Sequence, residues 1–343
     1  MSQRRFVLLA VAALVAISGA LYLSTQRNLP RDTLDAAFFP SLANALNSVT
    51  AVSVRKGGSS PTVTVHQVAG QWTVAERGDY PADVSKLRKL LLALADSKIV
   101  EAKTSNPANF AVIGVEDPSQ PGATGAELTV TAQDGKHGVI VGKAVGQGNF
   151  ARRSGENQSY IVRPELSFES EPRFWIDSRL IDIAATTIQS IEVKPATGTA
   201  YSIHRVAKSD GDFSLDKVPT GRKALDPHAL APSPTMLGSL TAEDVSAASG
   251  IDFSSSAQAI VTQADGNVLT LMGVAAGDKR WIQIAASKDP TLTAKTQGRA
   301  FEVANYRYDA IFRPLGQLLV PKESPPAAKK APRSLKKPPP AAS

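Results

Sequence analysis

The stretch YPADVSKLRKLLLALADSKIVEAKT, residues 80–104, decides how the chain is to be read. Asp83 has the short acceptor side chain of a helix N-cap. Behind it, Val84, Leu87, Leu90, Leu91 and Leu94 recur at helical spacing and form one apolar stripe, while Lys86, Arg88 and Lys89 fall mostly on other faces. The spacing predicts a short amphipathic helix running directly into a strand at Ile99 and Val100. Such a stripe needs a surface to cover, and the nearest lies just upstream. Val52 and Val54 alternate with Ser53 and Arg55, and Val63 and Val65 alternate with Thr64 and His66. Ala69-Gly70 then turns the chain into Gln71-Trp72-Thr73-Val74. Alternation broken by turn residues predicts a meander of three strands. A short helix opening at Phe39-Pro40-Ser41 precedes it, with proline at a tolerated early position.

Beyond Asn106-Pro107 and a Gly/Pro-rich loop at 118–125, strand patterns resume. Leu128 and Val130 lead to Asp134-Gly135, a hairpin signal, and the chain returns through Val139 and Val141. Phe150 to Arg153 and Tyr160 to Val162 read as further strands. The second half repeats this order. Ser190-Ile191-Glu192-Val193 answers Ala51-Val52-Ser53-Val54, and Phe213 answers Trp72. Leu230, Met236, Leu237 and Leu240 answer Val84, Leu90, Leu91 and Leu94, though Pro232, Pro234 and Gly238 shorten the helix. Thr131, Asp134, Gly135 and Gly142 match Thr262, Asp265, Gly266 and Gly273, while Phe301 and Val303 answer Tyr160 and Val162. The expected architecture is α+β: two tandem similar domains of mostly antiparallel sheet with a packed helix, behind one N-terminal transmembrane helix. The boundaries drawn are an anchor or signal peptide at 1–28, repeat domains at 29–186 and 187–320, and a disordered basic tail at 321–343.

The anchor rests on an uncharged run from Phe6 to Leu23. As a helix it spans roughly 27 Å, close to a hydrocarbon core of about 30 Å. Arg4 and Arg5 precede it and set the topology, with Met1 cytoplasmic and the body periplasmic. Ser18-Gly19-Ala20 is also a small-x-small cleavage pattern, so a removed signal peptide is the alternative. Both readings export the body; the first leaves it single-pass in the inner membrane and the second frees it into the periplasm.

The net charge of +7 belongs to the ends. The tail carries Lys322, Lys329, Lys330, Arg333, Lys336 and Lys337 against Glu323, and with Arg4 and Arg5 set aside the body is neutral. That argues against a nucleic-acid-binding body. The tail is suited to touch anionic envelope polymer or lipid headgroups. The chain has no cysteine, which excludes disulfides, thiolate metal sites and a Cys nucleophile.

No catalytic, cofactor-binding or metal site is assigned. Gly142-Lys143-Ala144 lacks the spacing and hydroxyl of a phosphate loop, and Gly142, Gly146 and Gly148 read as a turn cluster. Asp210-Gly211-Asp212 with Asp216 falls short of a calcium loop and occupies a hairpin-turn position in the repeat. His66, His137, His204 and His228 show no metal-helix spacing; His66 and His204 fall at similar strand positions in separate units. No Gly-x-Ser-x-Gly elbow is present. Glu169, Glu171 and Asp177 are scattered acids near Trp175. Trp72, Trp175 and Trp281 read as core aromatics, and Arg152-Arg153 as a solvated strand edge.

Several of these segments together resemble a known family. They are Gln71-Trp72-Thr73-Val74, Tyr80-Pro81-Ala82-Asp83 before the Leu-rich helix, Glu101-Ala102-Lys103-Thr104, and Ile113-Gly114-Val115-Glu116-Asp117-Pro118. Val141-Gly142-Lys143 and Phe174-Trp175-Ile176-Asp177 complete the pattern. It is similar to the domain-of-unknown-function 4340 family of bacterial envelope proteins, closely over about 49–183 and loosely after. The resemblance implies one N-terminal anchor helix and, for some members, likeness to a gliding-motility auxiliary component of ABC-type transporters; it carries over no catalytic residue. The functional expectation is a non-catalytic, membrane-anchored periplasmic scaffold or accessory component with protein partners in a membrane complex. The alternative is a periplasmic binding module or hydrolase acting on a cell-wall polymer or small ligand.

Overall fold

Alternating apolar residues pair into strands wherever a turn can reverse the chain, and the first half does this repeatedly. The computed structural model describes residues 35–207 and 211–321. The run from Phe6 to Leu23, Arg4 and Arg5, and the basic tail from Lys322 lie outside the described residues. Among the described residues no helix is long and apolar enough to cross a membrane.

In chain order the first strands are β1 (Ala51–Arg55), β2 (Val63–Val68), β3 (Gln71–Val74), β4 (Tyr80–Pro81) and β5 (Lys98–Ala102). They are followed by β6 (Ala126–Ala132), β7 (Gly135–Val145), β8 (Gly148–Arg153) and β9 (Ser159–Arg163). Val52, Val54, Val63 and Val65 all point into the core at 1% exposure, as their alternation requires. Ala69 and Gly70 both have positive φ, which closes the β2–β3 hairpin with the favoured twist. The nine strands run β4-β3-β2-β1-β6-β7-β8-β9-β5, every neighbouring pair antiparallel.

Among the described residues the α-helices are α1 (Leu42–Ala45), α2 (Val84–Ala95), α3 (Phe110–Ile113), α4 (Pro232–Leu237), α5 (Pro290–Thr296) and α6 (Asn305–Ile311). Helix α2 leaves one edge of the first sheet and delivers β5 to the opposite edge. Nine strands laid flat would be about 38 Å wide. The helix with its short connections reaches only about 30 Å, so the sheet must curl around it. The Asp83 carboxylate caps the helix, accepting from Ser85 N at 3.0 Å and Lys86 N at 3.1 Å. Leu87, Leu90, Leu91 and Leu94 are buried as the stripe predicts, and Ala95 joins them. Val84 does not: it is 42% exposed, on the rim of a groove lined by Trp72, Leu87 and Leu91.

The second half contributes β10 (Arg179–Ile181), β11 (Ile188–Lys194), β12 (Tyr201–Arg205), β13 (Phe213–Leu215) and β14 (Leu240–Thr241). Then come β15 (Asp244–Ala247), β16 (Ala257–Gln263), β17 (Val268–Ala276), β18 (Lys279–Ser287) and β19 (Arg299–Val303). Eight of these form a sheet in the order β13-β12-β11-β16-β17-β18-β19-β15, while β10 and β14 pair with each other. The threading matches the first sheet strand for strand, less a partner for β4. Register agrees as well. His66 lies opposite Ala51 and Thr73, and His204 lies opposite Ser190 and Ser214. Counted through β8 and β18, Phe301 and Val303 fall where Tyr160 and Val162 fall. The architecture is thus mostly antiparallel sheet with a few helices, an α+β fold.

Three local expectations are corrected. Helix α4 stops at Leu237, and Leu240 instead sits in β14 opposite Ile181. Its prolines fall in the first turn, where backbone N–H groups lack helical partners anyway, so they permit one turn but no longer helix. Gly273 does not share register with Gly142. Thr131 pairs with Lys136 but Thr262 pairs with Val268, because the second hairpin is one residue longer. Gly142 is no turn residue: it lies inside β7, where an added Cβ would meet Ile113 O at 2.2 Å and Gly114 O at 2.8 Å. Gly142→Ala should therefore lower stability by about 1–3 kcal/mol through overpacking, read as a reduced denaturation midpoint. Gly57→Ala, with open space around it and a φ of +67°, should lose less.

Candidate functional site

The two sheets meet along a seam built from charged side chains around one buried ring. Tyr80 on β4 is fully buried, and its ring meets Phe301 of β19 edge-on at 5.6 Å. Lys295 Nζ and Arg299 Cζ lie 5.5 and 5.6 Å from the same ring. The short 3-10 turn Ala75–Arg77 presents Arg77, whose Nε and Nη2 donate to the two oxygens of Asp244 at 2.6 and 3.0 Å. Arg299 Nη2 donates to Gly78 O at 2.9 Å, and Lys295 Nζ to Asp177 Oδ2 at 2.9 Å. Bidentate Arg–carboxylate geometry of this kind fixes orientation as well as distance. The buried apolar residues of both sheets form one connected cluster across this seam.

Between the Gly78 turn and β15 the seam opens into a cleft of about 600 Å³, lined in part by Arg77, Asp244, Trp281 and Arg299. Each charged side chain lining it already has a partner: Glu76 accepts from Thr64 N, Arg77 holds Asp244, and Arg299 donates to Gly78 O. Arg77 and Arg299 therefore brace the cleft walls against each other, while Glu76 is held within the first unit.

Two groups beside the cleft are perturbed. Burial, with the Asp177 charge adding to it, pushes the Tyr80 phenol well above the usual range. Its hydroxyl has no hydrogen-bond partner. Removing a buried unpaired polar group recovers its desolvation cost, so Tyr80→Phe should stabilise the protein by about 1 kcal/mol, seen as a raised melting temperature. For Asp177, burial pushes the carboxyl up. The Lys295 ammonium, with Arg179 N–H, outweighs burial and holds it below the ordinary value. A depressed folded value means the unfolded state binds the proton more readily. The stability from Asp177 is thus present above about pH 4 and lost as pH falls through the lower folded value. Asp177→Asn should flatten that part of the acid-unfolding curve.

The residues singled out in the sequence are mostly kept apart. Glu171 pairs with Arg173 and Asp177 with Lys295, so the acids near Trp175 do not face one another. Asp212 turns toward His228 and Asp216 toward His204, while Asp210 lies outside the described residues. Among the described residues no group of three or more His, Asp or Glu side chains is placed to hold a metal ion. The expected solvated edge at Arg152 is corrected: the side chain is 7% exposed, donates to Val115 O at 2.9 Å and lies over the Phe110 ring. The guanidinium ties the loop after α3 to β8.

One constellation was missed. Ser214 Oγ lies 3.0 Å from His204 Nε2, and His204 Nδ1 hydrogen-bonds Asp216 Oδ1. All three sit on the solvent face of the β12–β13 hairpin, while Ile203, Phe213 and Leu215 fill the core face. In the first unit His66 likewise bonds Asp79, at 2.7 Å, but Thr73 Oγ1 turns to Asp79 at 3.2 Å instead of to the imidazole. Hairpin register holds the signal that would have found the set. The register that pairs Arg205 with Phe213 puts residues 204 and 214 opposite each other, and alternation puts 216 on the same face.

The model of the family described as Domain of unknown function (DUF4340) matches residues 72–258, from β3 through α2 to β16, and includes Arg77, Tyr80, Asp177 and Asp244 of the seam. No curated protein matches the chain. No solved structure matches it either. Because the family match spans more than half of the 343 residues, the chain belongs to the DUF4340 family.

Proposed function

We propose that the chain is a membrane-anchored periplasmic protein whose part in a membrane assembly is structural rather than catalytic: a scaffold or accessory component of a complex such as an ABC-type transporter. Two similar α+β domains would stand behind one N-terminal transmembrane helix from Phe6 to Leu23, with Arg4 and Arg5 on the cytoplasmic side. The observation that carries this reading is the seam. Arg77–Asp244 and Lys295–Asp177 hold the two sheets to each other, and the cleft charges are engaged in that task. A stiff, neutral body on an anchor suits docking and spacing. The basic tail would add contact with anionic lipid headgroups or envelope polymer.

The absence of cysteine makes the topology directly testable. Single cysteines at Ser2 and Ser41 should differ under an impermeant maleimide in intact spheroplasts, with only Ser41→Cys labelled. Crosslinking followed by purification from detergent-solubilised membranes should recover a defined set of membrane partners. A solitary monomer would contradict the scaffold role, and a mass lacking residues 1–20 would replace the anchor with a cleaved leader. The 600 Å³ cleft favours a second reading, a periplasmic binding module. That reading requires a ligand able to compete with the Arg77–Asp244 pair.

A further inference from the structure

We infer that Ser214, His204 and Asp216 form an acyl-transfer site in which Ser214 Oγ is the nucleophile toward small acyl esters. This goes beyond the scaffold role and does not depend on it. A carboxylate only accepts hydrogen bonds, so Asp216 places the imidazole proton on His204 Nδ1. That leaves Nε2 as the acceptor facing the Ser214 hydroxyl at 3.0 Å. The connectivity is hydroxyl to imidazole to carboxylate, the order that lets one proton leave the serine as it attacks. The exposed faces of His204 and Asp216, 48% and 42%, leave the hydroxyl reachable from solvent. On an exposed strand face the hydroxyl is met without a channel, so small acyl esters are the substrate class that reaches it most directly.

The step balances with water as co-reactant. Ser214 Oγ bonds to the ester carbonyl carbon while its proton moves to His204 Nε2. The tetrahedral intermediate collapses, the C–O bond to the alcohol breaks, and the leaving oxygen takes that proton. Water, deprotonated by His204, then attacks the acyl-serine, releasing the carboxylic acid and restoring the hydroxyl. A backbone donor for the developing oxyanion is at hand. Strand β13 is the sheet edge, and Ser214 and Asp216 face β12. By ladder alternation the N–H of Leu215 points away from β12.

The first unit provides the internal comparison. His66 and Asp79 are present there, but Thr73 is 5% exposed and bonds the carboxylate, so the hydroxyl is neither reachable nor aligned with the imidazole. Only the second unit should react.

The test uses the full-length protein in detergent, a fluorophosphonate probe and, separately, p-nitrophenyl acetate, with the modified peptide identified by mass spectrometry. The expected adduct is on Ser214, absent from Ser214→Ala and from urea-unfolded protein. His204→Gln should slow labelling about 100-fold, the usual contribution of a general base. Asp216 is a positioning residue, and Asp216→Asn should both slow labelling and shift its pH profile. Thr73→Ala and His66→Gln should label like wild type. No adduct on Ser214 of the wild-type protein, or equal labelling in His204→Gln with an unchanged melting temperature, overturns the inference. An unchanged pH profile in Asp216→Asn removes Asp216 from the site.

Discussion

Phe301→Ala should lower unfolding free energy by about 3–5 kcal/mol, with loss of protection from hydrogen exchange in both sheets. Phe301 is fully buried on β19, opposite Ile282 of β18 and Val245 of β15, and its ring meets Tyr80 across the seam. Truncation removes the ring's transfer energy and leaves a cavity that the surrounding strands, fixed by their ladders, close only in part. The cavity would open directly beneath Tyr80. Lys295 and Arg299 lie over that ring, so the loss should spread to the Asp177 and Gly78 contacts. Hydrogen exchange separates a seam from a mere touching surface. Exchange should accelerate at Val74, opposite Tyr80 on β3, and at Ala82, bonded to Trp72 O, as well as in β19. A change confined to β15, β18 and β19 would mean that the first sheet does not depend on the second.

The next largest effect concerns the helix of the first unit. Leu94→Ala should cost about 2–5 kcal/mol, because Leu94 is fully buried in the face that α2 turns toward the sheet. Val84→Ala, in the same apolar series but 42% exposed, should stay within about 0.5 kcal/mol. Urea denaturation of the two variants checks the contrast. Comparable losses would mean that the groove beside Trp72 is closed over Val84 in solution.

The Leu94 and Val84 pair also shows what can be read from a sequence. The cap at Asp83, the stripe from Leu87 to Leu94, the turn at Ala69-Gly70 and the strand alternation are encoded within a few residues, and each is found in place. The order of elements along the chain was legible because the chain carries its pattern twice, so turns and apolar positions in one half check those in the other; the order of strands across each sheet was not. Val84 was misplaced because helical spacing specifies which side a residue faces, not how far the sheet beneath extends. Gly142 was read as a turn because a glycine's purpose can be a close backbone approach from 28 or 29 positions away, here Gly114 and Ile113. Arg152 was read as solvated because its partners, the Phe110 ring of α3 and Val115 O in the loop after it, are brought to β8 only by the folded topology. The candidate site was the least legible part. Arg77 and Asp244 are 167 residues apart, and neither carries a local mark of the other. His204, Ser214 and Asp216 were within reach of a hairpin register but not of motif spacing.

The central claim is that the seam makes one cooperative body of two similarly threaded sheets, stiff enough to serve as a scaffold. Differential scanning calorimetry of the full-length protein in mild detergent tests it most directly. The account predicts one transition for the body, with calorimetric and van't Hoff enthalpies in agreement, and a lower midpoint for Asp244→Ala without splitting of the peak. Two separated transitions in the wild-type protein, with Asp244→Ala leaving both unmoved, would contradict it.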